Sequence, residues 1–299
     1  MNRNAYIILA LFLAVYIILT LYRPGGLLAY LIPSLCWTTV ALTTLLLAGM
    51  KKIGAWTNKR IVLMALLVAA FQIFLLVDAG LINKFGKSPM SFTLTGIAIN
   101  LMLVSSTLLG MELSRGYLTK NLARRRSTLT LTVITLLYTF TNVSIFALFN
   151  FQNPLIYSKF MGETFLPTLT INLLATYLAM LSGPMASLAY RAPIQAFWWF
   201  SPILPDIPWG YKSLIGVMSP TVGFVAINMA TTPRDMMKAG IPTKGEPITK
   251  TRKIQKSLKG WLAISVFLVL AVWISTGLLG FYPTVVGSGS MQPTLNVGD

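Results

Sequence analysis

Ile61-Val62-Leu63-Met64-Ala65-Leu66-Leu67-Val68-Ala69-Ala70-Phe71-Gln72-Ile73-Phe74-Leu75-Leu76-Val77-Asp78-Ala79-Gly80-Leu81-Ile82 contains one ionisable side chain, Asp78, close to its end. As a helix rising 1.5 Å per residue it covers about 30 Å, the thickness of bilayer hydrocarbon. Lys59-Arg60 precedes the run, and the stretch from Asn83 to Pro89 follows it. Comparable apolar runs occur at about 5–22, 27–49, 91–113, 128–149, 165–189, 212–230 and 260–280, so there are about eight apolar segments. The fold class that follows is an all-α polytopic membrane protein.

Composition agrees. Of 299 residues, 55% are hydrophobic and 10% charged, where a soluble domain carries about a quarter charged residues. The formal charge of +17 would point to nucleic acid in a soluble chain. Here the basic residues sit in a few segments between apolar runs, the pattern that orients membrane proteins, so no nucleic-acid partner is expected. The chain has no histidine and a single cysteine, Cys36. That leaves no intrachain disulfide, no His-based metal site and no expected cofactor. The first run is followed by Tyr22-Arg23-Pro24-Gly25-Gly26 rather than a small-residue cleavage site, and reads as an uncleaved anchor.

Charge sets the expected sidedness. Residues 50–60 hold Lys51, Lys52, Lys59 and Arg60 without an acid; 114–127 holds Arg115, Lys120 and Arg124 to Arg126. Residues 231–259 hold Arg234, Lys238, Lys244, Lys250, Arg252, Lys253, Lys256 and Lys259 against Asp235 and Glu246. The positive-inside rule places all three in the cytoplasm. A difficulty of parity follows. One span over 165–189 and another over 212–230 would export the 231–259 segment. The expected organisation is therefore a multispan helical region over 1–190 and a re-entrant or broken-helix segment over 191–230. A basic cytoplasmic loop over 231–259 and a final transmembrane helix over 260–280 follow. Phe197 to Trp209, dense in aromatics and proline, suits a membrane interface. Pro184 and Pro220 read as helix kinks.

The last run leads to Phe281-Tyr282-Pro283, then Thr284-Val285-Val286 with strand propensity, then Gly287-Ser288-Gly289-Ser290-Met291-Gln292-Pro293-Thr294-Leu295-Asn296-Val297-Gly298-Asp299. Glycines at 287 and 289 permit a tight turn that brings the Ser290 hydroxyl to a surface. Ser288, two residues earlier, can direct its hydroxyl toward the same carbonyl oxygen as the Ser290 N–H. A Gly/Ser connector would need none of the Met, Pro-Thr and Gly-Asp that follow at fixed spacing.

This segment resembles the serine box of the signal peptidase I family, Ser-Gly-Ser-Met-x-Pro-Thr followed closely by Gly-Asp. The resemblance covers roughly the last 20 residues. It implies a membrane serine endopeptidase that removes signal peptides from exported preproteins, cutting after small-x-small sequences on the outer face. It also implies an extracytoplasmic β-rich catalytic domain, of which 281–299 is the start. Ser290 matches the nucleophile and Ser288 the residue that helps form the oxyanion hole. The family's general base, a Lys or a His, comes later in the chain, and neither follows Ser290 here. Lys256 and Lys259 stand across a helix about 30 Å long, too far for proton transfer. The chain is thus expected to be a fragment or a truncated product of a larger enzyme, incomplete and inactive as given. Its many helices depart from the family's one or two anchors and point to an expanded prokaryotic member, an archaeal one among the candidates. Expected partners are preprotein signal peptides and membrane lipids.

The rival reading is a non-enzymatic transporter or scaffold. Coupled transporters place ionisable groups within the bilayer. Here Asp78, Glu112 and Glu163 read as span-end residues, with no charge at a span centre. Gln72, Asn100, Asn142, Asn172 and Asn228 are the polar residues left inside, expected to bond helices to one another.

Overall fold

The computed structural model describes residues 3–22, 24–49, 58–123, 127–143, 147, 154–232 and 235–236. The chain divides into the units Met1–Gly245 and Glu246–Asp299, and the architecture below is that of the first. Most of the 231–259 segment, the run at 260–280, the expected β domain at 281–299, and both Ser288 and Ser290 lie outside the described residues.

The described unit is predominantly helical: α1 (Arg3–Leu21), α2 (Leu28–Ala48), α3 (Lys59–Ile82), α4 (Leu94–Ala123) and α5 (Ser127–Phe140) come first. Then α6 (Pro154–Phe160) continues through a π-helical turn, Met161–Phe165, into α7 (Leu166–Ser182), followed by α8 (Pro184–Phe200) and α9 (Trp209–Ala230). Among the described residues six stretches are long and apolar enough to cross a membrane: α1, α2, α3, α4, Ile156–Ser182 and α9. The π turn has a local cause. Leu166 N–H bonds back to Met161 O, and Pro167, next in line, has no N–H to continue the ordinary ladder.

The helices form two groups. Ile8, Phe12, Trp37, Met111, Leu118, Ile134 and Tyr138 make the core of α1, α2, α4 and α5. Ile61, Ala65, Leu174, Leu178, Ala186, Tyr190 and Ile227 make the core of α3, α7, α8 and α9. Helix α7 is central: it packs on α3, α4, α5, α8 and α9, and every residue from Leu174 to Ser182 is buried. The seam between the groups is formed where α4 meets α7 and α8, and where α5 meets α7. A side chain at Gly116 would collide with the Pro184 ring, whose Cδ lies 2.6 Å from an ideal Cβ. Glycine there lets α4 reach the start of α8.

The expected single run over 165–189 is corrected. The chain turns at Gly183, with φ 71° and ψ −170°, a backbone region essentially restricted to glycine. Pro184 is thus the first residue of a new helix rather than a kink within one. Ser182 Oγ accepts from Asn58 N–H at 2.6 Å, and Asn58 Nδ2 donates to Asp235 Oδ1 at 2.8 Å. The α7–α8 turn, the start of α3 and the residues after α9 therefore share one end of the bundle.

At the other end β1 (Phe85–Lys87) pairs antiparallel with β2 (Ile203–Pro205), with Gly86 opposite Leu204. Lys84 and Asp206 add an exposed ion pair at 3.1 Å. Residues 191–230 thus comprise the rest of α8, a turn at the β1–β2 end, and α9 returning to the Asn58 end. Helix α8 thus runs from the Asn58 end toward the β1–β2 end, which lets α9 bring the chain back to Asn58.

Helix α4 carries a second correction. Apolar character stops at 113, but the helix continues to Ala123. Arg115 and Lys120 therefore stand on a helix, not in the expected 114–127 loop.

Candidate functional site

Four elements converge on three charged side chains at the seam. Glu112 and Arg115 lie on α4 and are fully buried, and Arg191 on α8 is 7% exposed. Arg115 is eight residues from the end of α4 and Arg191 seven from the start of α8. At 1.5 Å per residue Arg191 lies about 10 Å inside the bundle from the Asn58 end, whereas Arg115 adjoins Gly116, which packs on the start of α8, and its side chain reaches inward to Asn172 and Thr176. Glu112 and Arg115 fall within Leu94–Leu122, one of the stretches long and apolar enough to cross a membrane, where the sequence reading put Glu112 at a span end and Arg115 in a loop. That placement is corrected. The sequence signal was available, since Glu112 and Arg115 at i,i+3 share one helix face.

Desolvating a charge costs several kcal/mol, so each must find partners. Arg115 finds many. Its Nη2 donates to Asn172 Oδ1 at 2.7 Å, and its Nη1 donates to Asn172 O at 3.1 Å and Thr176 Oγ1 at 3.0 Å, all on α7. Its guanidinium also lies 4.2 Å from the centroid of the Tyr138 ring on α5, a cation–π contact. Tyr138 is fixed by a 2.7 Å hydrogen bond between its hydroxyl and Ser114 Oγ. Asn172 Nδ2 donates to Thr168 O at 3.0 Å and Tyr138 O at 3.3 Å, which orients its carbonyl oxygen toward Arg115.

Glu112 holds the cluster together. Its Oε1 accepts from Arg191 Nη1 at 2.8 Å. Its Oε2 lies 3.1 Å from Arg115 Nε, close enough for charge attraction but not aligned as a hydrogen bond. Two guanidinium groups face one carboxylate, and the cluster carries one excess positive charge.

Arg191 is the under-partnered member. Among the described residues only its Nη1 has an oxygen acceptor, apart from a weak 4.0 Å approach to Met111 Sδ. Its side chain lines two adjoining cavities. One, of about 240 Å³, is bounded by Asn142, Thr168, Asn172 and Gln195. The other, of about 300 Å³, is bounded by Leu103, Val104, Leu108, Met111 and Trp199, and shares Asn142 and Gln195 with the first. A third, of about 410 Å³, lies across α7 beside the π turn, where Lys212 Nζ meets Glu163 Oε1 at 3.0 Å.

The amides expected to join helices do so in three cases. Gln72 accepts from Tyr190, Asn228 from Tyr177, and Asn172 binds Arg115. Asn142 instead bonds within its own segment, to Tyr138 O. Ser288 and Ser290 lie outside the described residues, so their geometry takes no part in this cluster. No known protein family, curated protein or solved structure matches the chain.

Proposed function

We propose that this chain forms the membrane region and nucleophile segment of a signal peptidase I-like serine endopeptidase acting on exported preproteins. The observation that carries the reading is Ser288 to Asp299, which meets every fixed position of the serine box directly after an apolar run. The bundle supports it through connectivity. Helix α9 ends where Asn58 and Ser182 meet, so the basic segment begins at the Asn58 end, taken as cytoplasmic by its charge. By sequence pattern alone, a basic segment followed by an apolar run at 260–280 is the arrangement that would export Ser290 across a prokaryotic cell membrane.

In this reading Ser290 Oγ attacks the carbonyl carbon that follows a small-x-small sequence. A general base takes the hydroxyl proton, and the amine leaves with a proton to give an acyl-enzyme that water hydrolyses. The Ser290 N–H and Ser288 hydroxyl stabilise the oxyanion. Membranes carrying the full reading frame should process an Ala-x-Ala preprotein. Ser290→Ala should lower that rate by roughly 10⁴-fold or more, and Ser288→Ala by about 10²–10³-fold. Equal processing by wild type and Ser290→Ala overturns the assignment.

One observation favours a second, non-enzymatic reading as a solute conduit: ionisable groups do occupy the interior, at Glu112, Arg115 and Arg191. Chloride or acetate flux into proteoliposomes that is lost in Arg191→Gln would support it. Flux equal to that of empty vesicles would remove it.

A further inference from the structure

The geometry points to a binding site for a single-chain amphiphilic anion, its carboxylate or phosphate on Arg191 and its apolar chain beside Leu103, Val104, Leu108 and Trp199. Three observations carry this. First, the ionic cluster holds two guanidiniums and one carboxylate, so a single negative charge would neutralise it. A low-dielectric interior makes that worth far more than the same contact in water. Second, the two guanidiniums differ in how far they are satisfied. Arg115 spends its Nη groups on Asn172 and Thr176. Arg191, nine-tenths buried, offers only Nη1 to an oxygen. A guanidinium carries five N–H donors in a fork that matches a carboxylate or phosphate. The Nε and Nη2 of Arg191 have no acceptor among the described residues and are not fully buried, so they stay open toward the cavities that Arg191 lines.

Third, the space around Arg191 has two characters. The smaller cavity is lined by Asn142, Thr168, Asn172 and Gln195 together with Ile171 and Ile194, and the four polar side chains suit an anionic head and its solvation. The larger is lined mainly by apolar side chains and reaches Trp199, one residue from the end of α8. Gln195 and Trp199 follow Arg191 by one and two turns of α8, so the apolar lobe extends from the charge toward the β1–β2 end. Volumes of about 240 and 300 Å³ fall near the lower end of ligand sites. They suit one short chain rather than a two-chain phospholipid.

The test uses the full chain in nanodiscs of zwitterionic lipid, titrated with sodium octanoate and, in parallel, octyl phosphate. Thermal unfolding and tryptophan fluorescence are read together. A saturable rise in the unfolding midpoint with a matching fluorescence change is expected from at least one probe, and the stronger probe identifies the head group. Leu103→Trp, which fills the apolar lobe, and Gln195→Leu, which removes a polar wall, should each weaken apparent affinity at least tenfold. Both leave the Glu112–Arg191 pair in place. The proposal is overturned if neither probe gives a saturable change. It is also overturned if 1-octanol or inorganic phosphate alone reproduces the full effect, or if both variants bind like wild type.

Discussion

Arg191 on α8 and Glu112 on α4 share a 2.8 Å charge-assisted hydrogen bond at the seam of two helix groups, with almost no solvent at either side chain. The pair is not symmetric. Glu112 serves two guanidiniums, whereas either arginine can be lost with the carboxylate still paired.

Glu112→Gln should therefore be the more damaging change. It leaves two buried cations facing a neutral amide, and breaking a buried pair costs about 3–5 kcal/mol. Arg191→Met keeps Glu112 beside Arg115 and should cost clearly less. Reversible denaturation in micelles checks the order, and a larger loss for Arg191→Met would refute this account of the cluster.

Gly183 tests the turn that divides α7 from α8. Its φ of 71° with ψ −170° is a conformation a Cβ strains, so Gly183→Ala should lower stability by about 1–3 kcal/mol. An unchanged unfolding midpoint would mean the helices do not part there.

Asp235 provides a pH test. Hydrogen bonds from the Thr232 hydroxyl and N–H, with help from Asn58, hold its carboxyl below the ordinary carboxylate range. A depressed native pKa contributes stability above the unfolded value of about 3.9, lost as pH falls through the native one. Amide exchange near Thr232 should accelerate in that acidic window, and Asp235→Asn should remove the acid step. Because Asp235 is only partly buried the effect should be small and local.

Bundle sidedness is testable with single cysteines in a Cys36→Ser background. Lys84→Cys and Asp206→Cys should react with an impermeant thiol reagent from one side of the membrane, Arg60→Cys from the other. Lys84 and Asp206 labelling from different sides would contradict the β1–β2 pairing.

Much of the helical fold was legible because hydropathy alone marks a span: 5–22, 27–49 and 61–82 lie within two residues of α1, α2 and α3. The same measure failed where burial is in protein rather than lipid. Helix α4 looked finished at its first charges, since hydropathy treats Glu112 as a boundary whether or not Arg191 and Arg115 neutralise it. Gly183 and Pro184 vanished into an apolar run, because a small residue and a proline hardly change its average even when they turn the chain back. The cavities beside Arg191 were illegible for a deeper reason: they depend on side chains from α4, α7 and α8 that no local pattern brings together.

The proposed function stands on where one hydroxyl resides relative to these helices. Ser290→Cys in intact cells, compared with Lys84→Cys and Arg60→Cys, measures that directly. The account predicts that residue 290 reacts from outside, together with residue 84. Reaction only from the cytosolic side, together with residue 60, would contradict it.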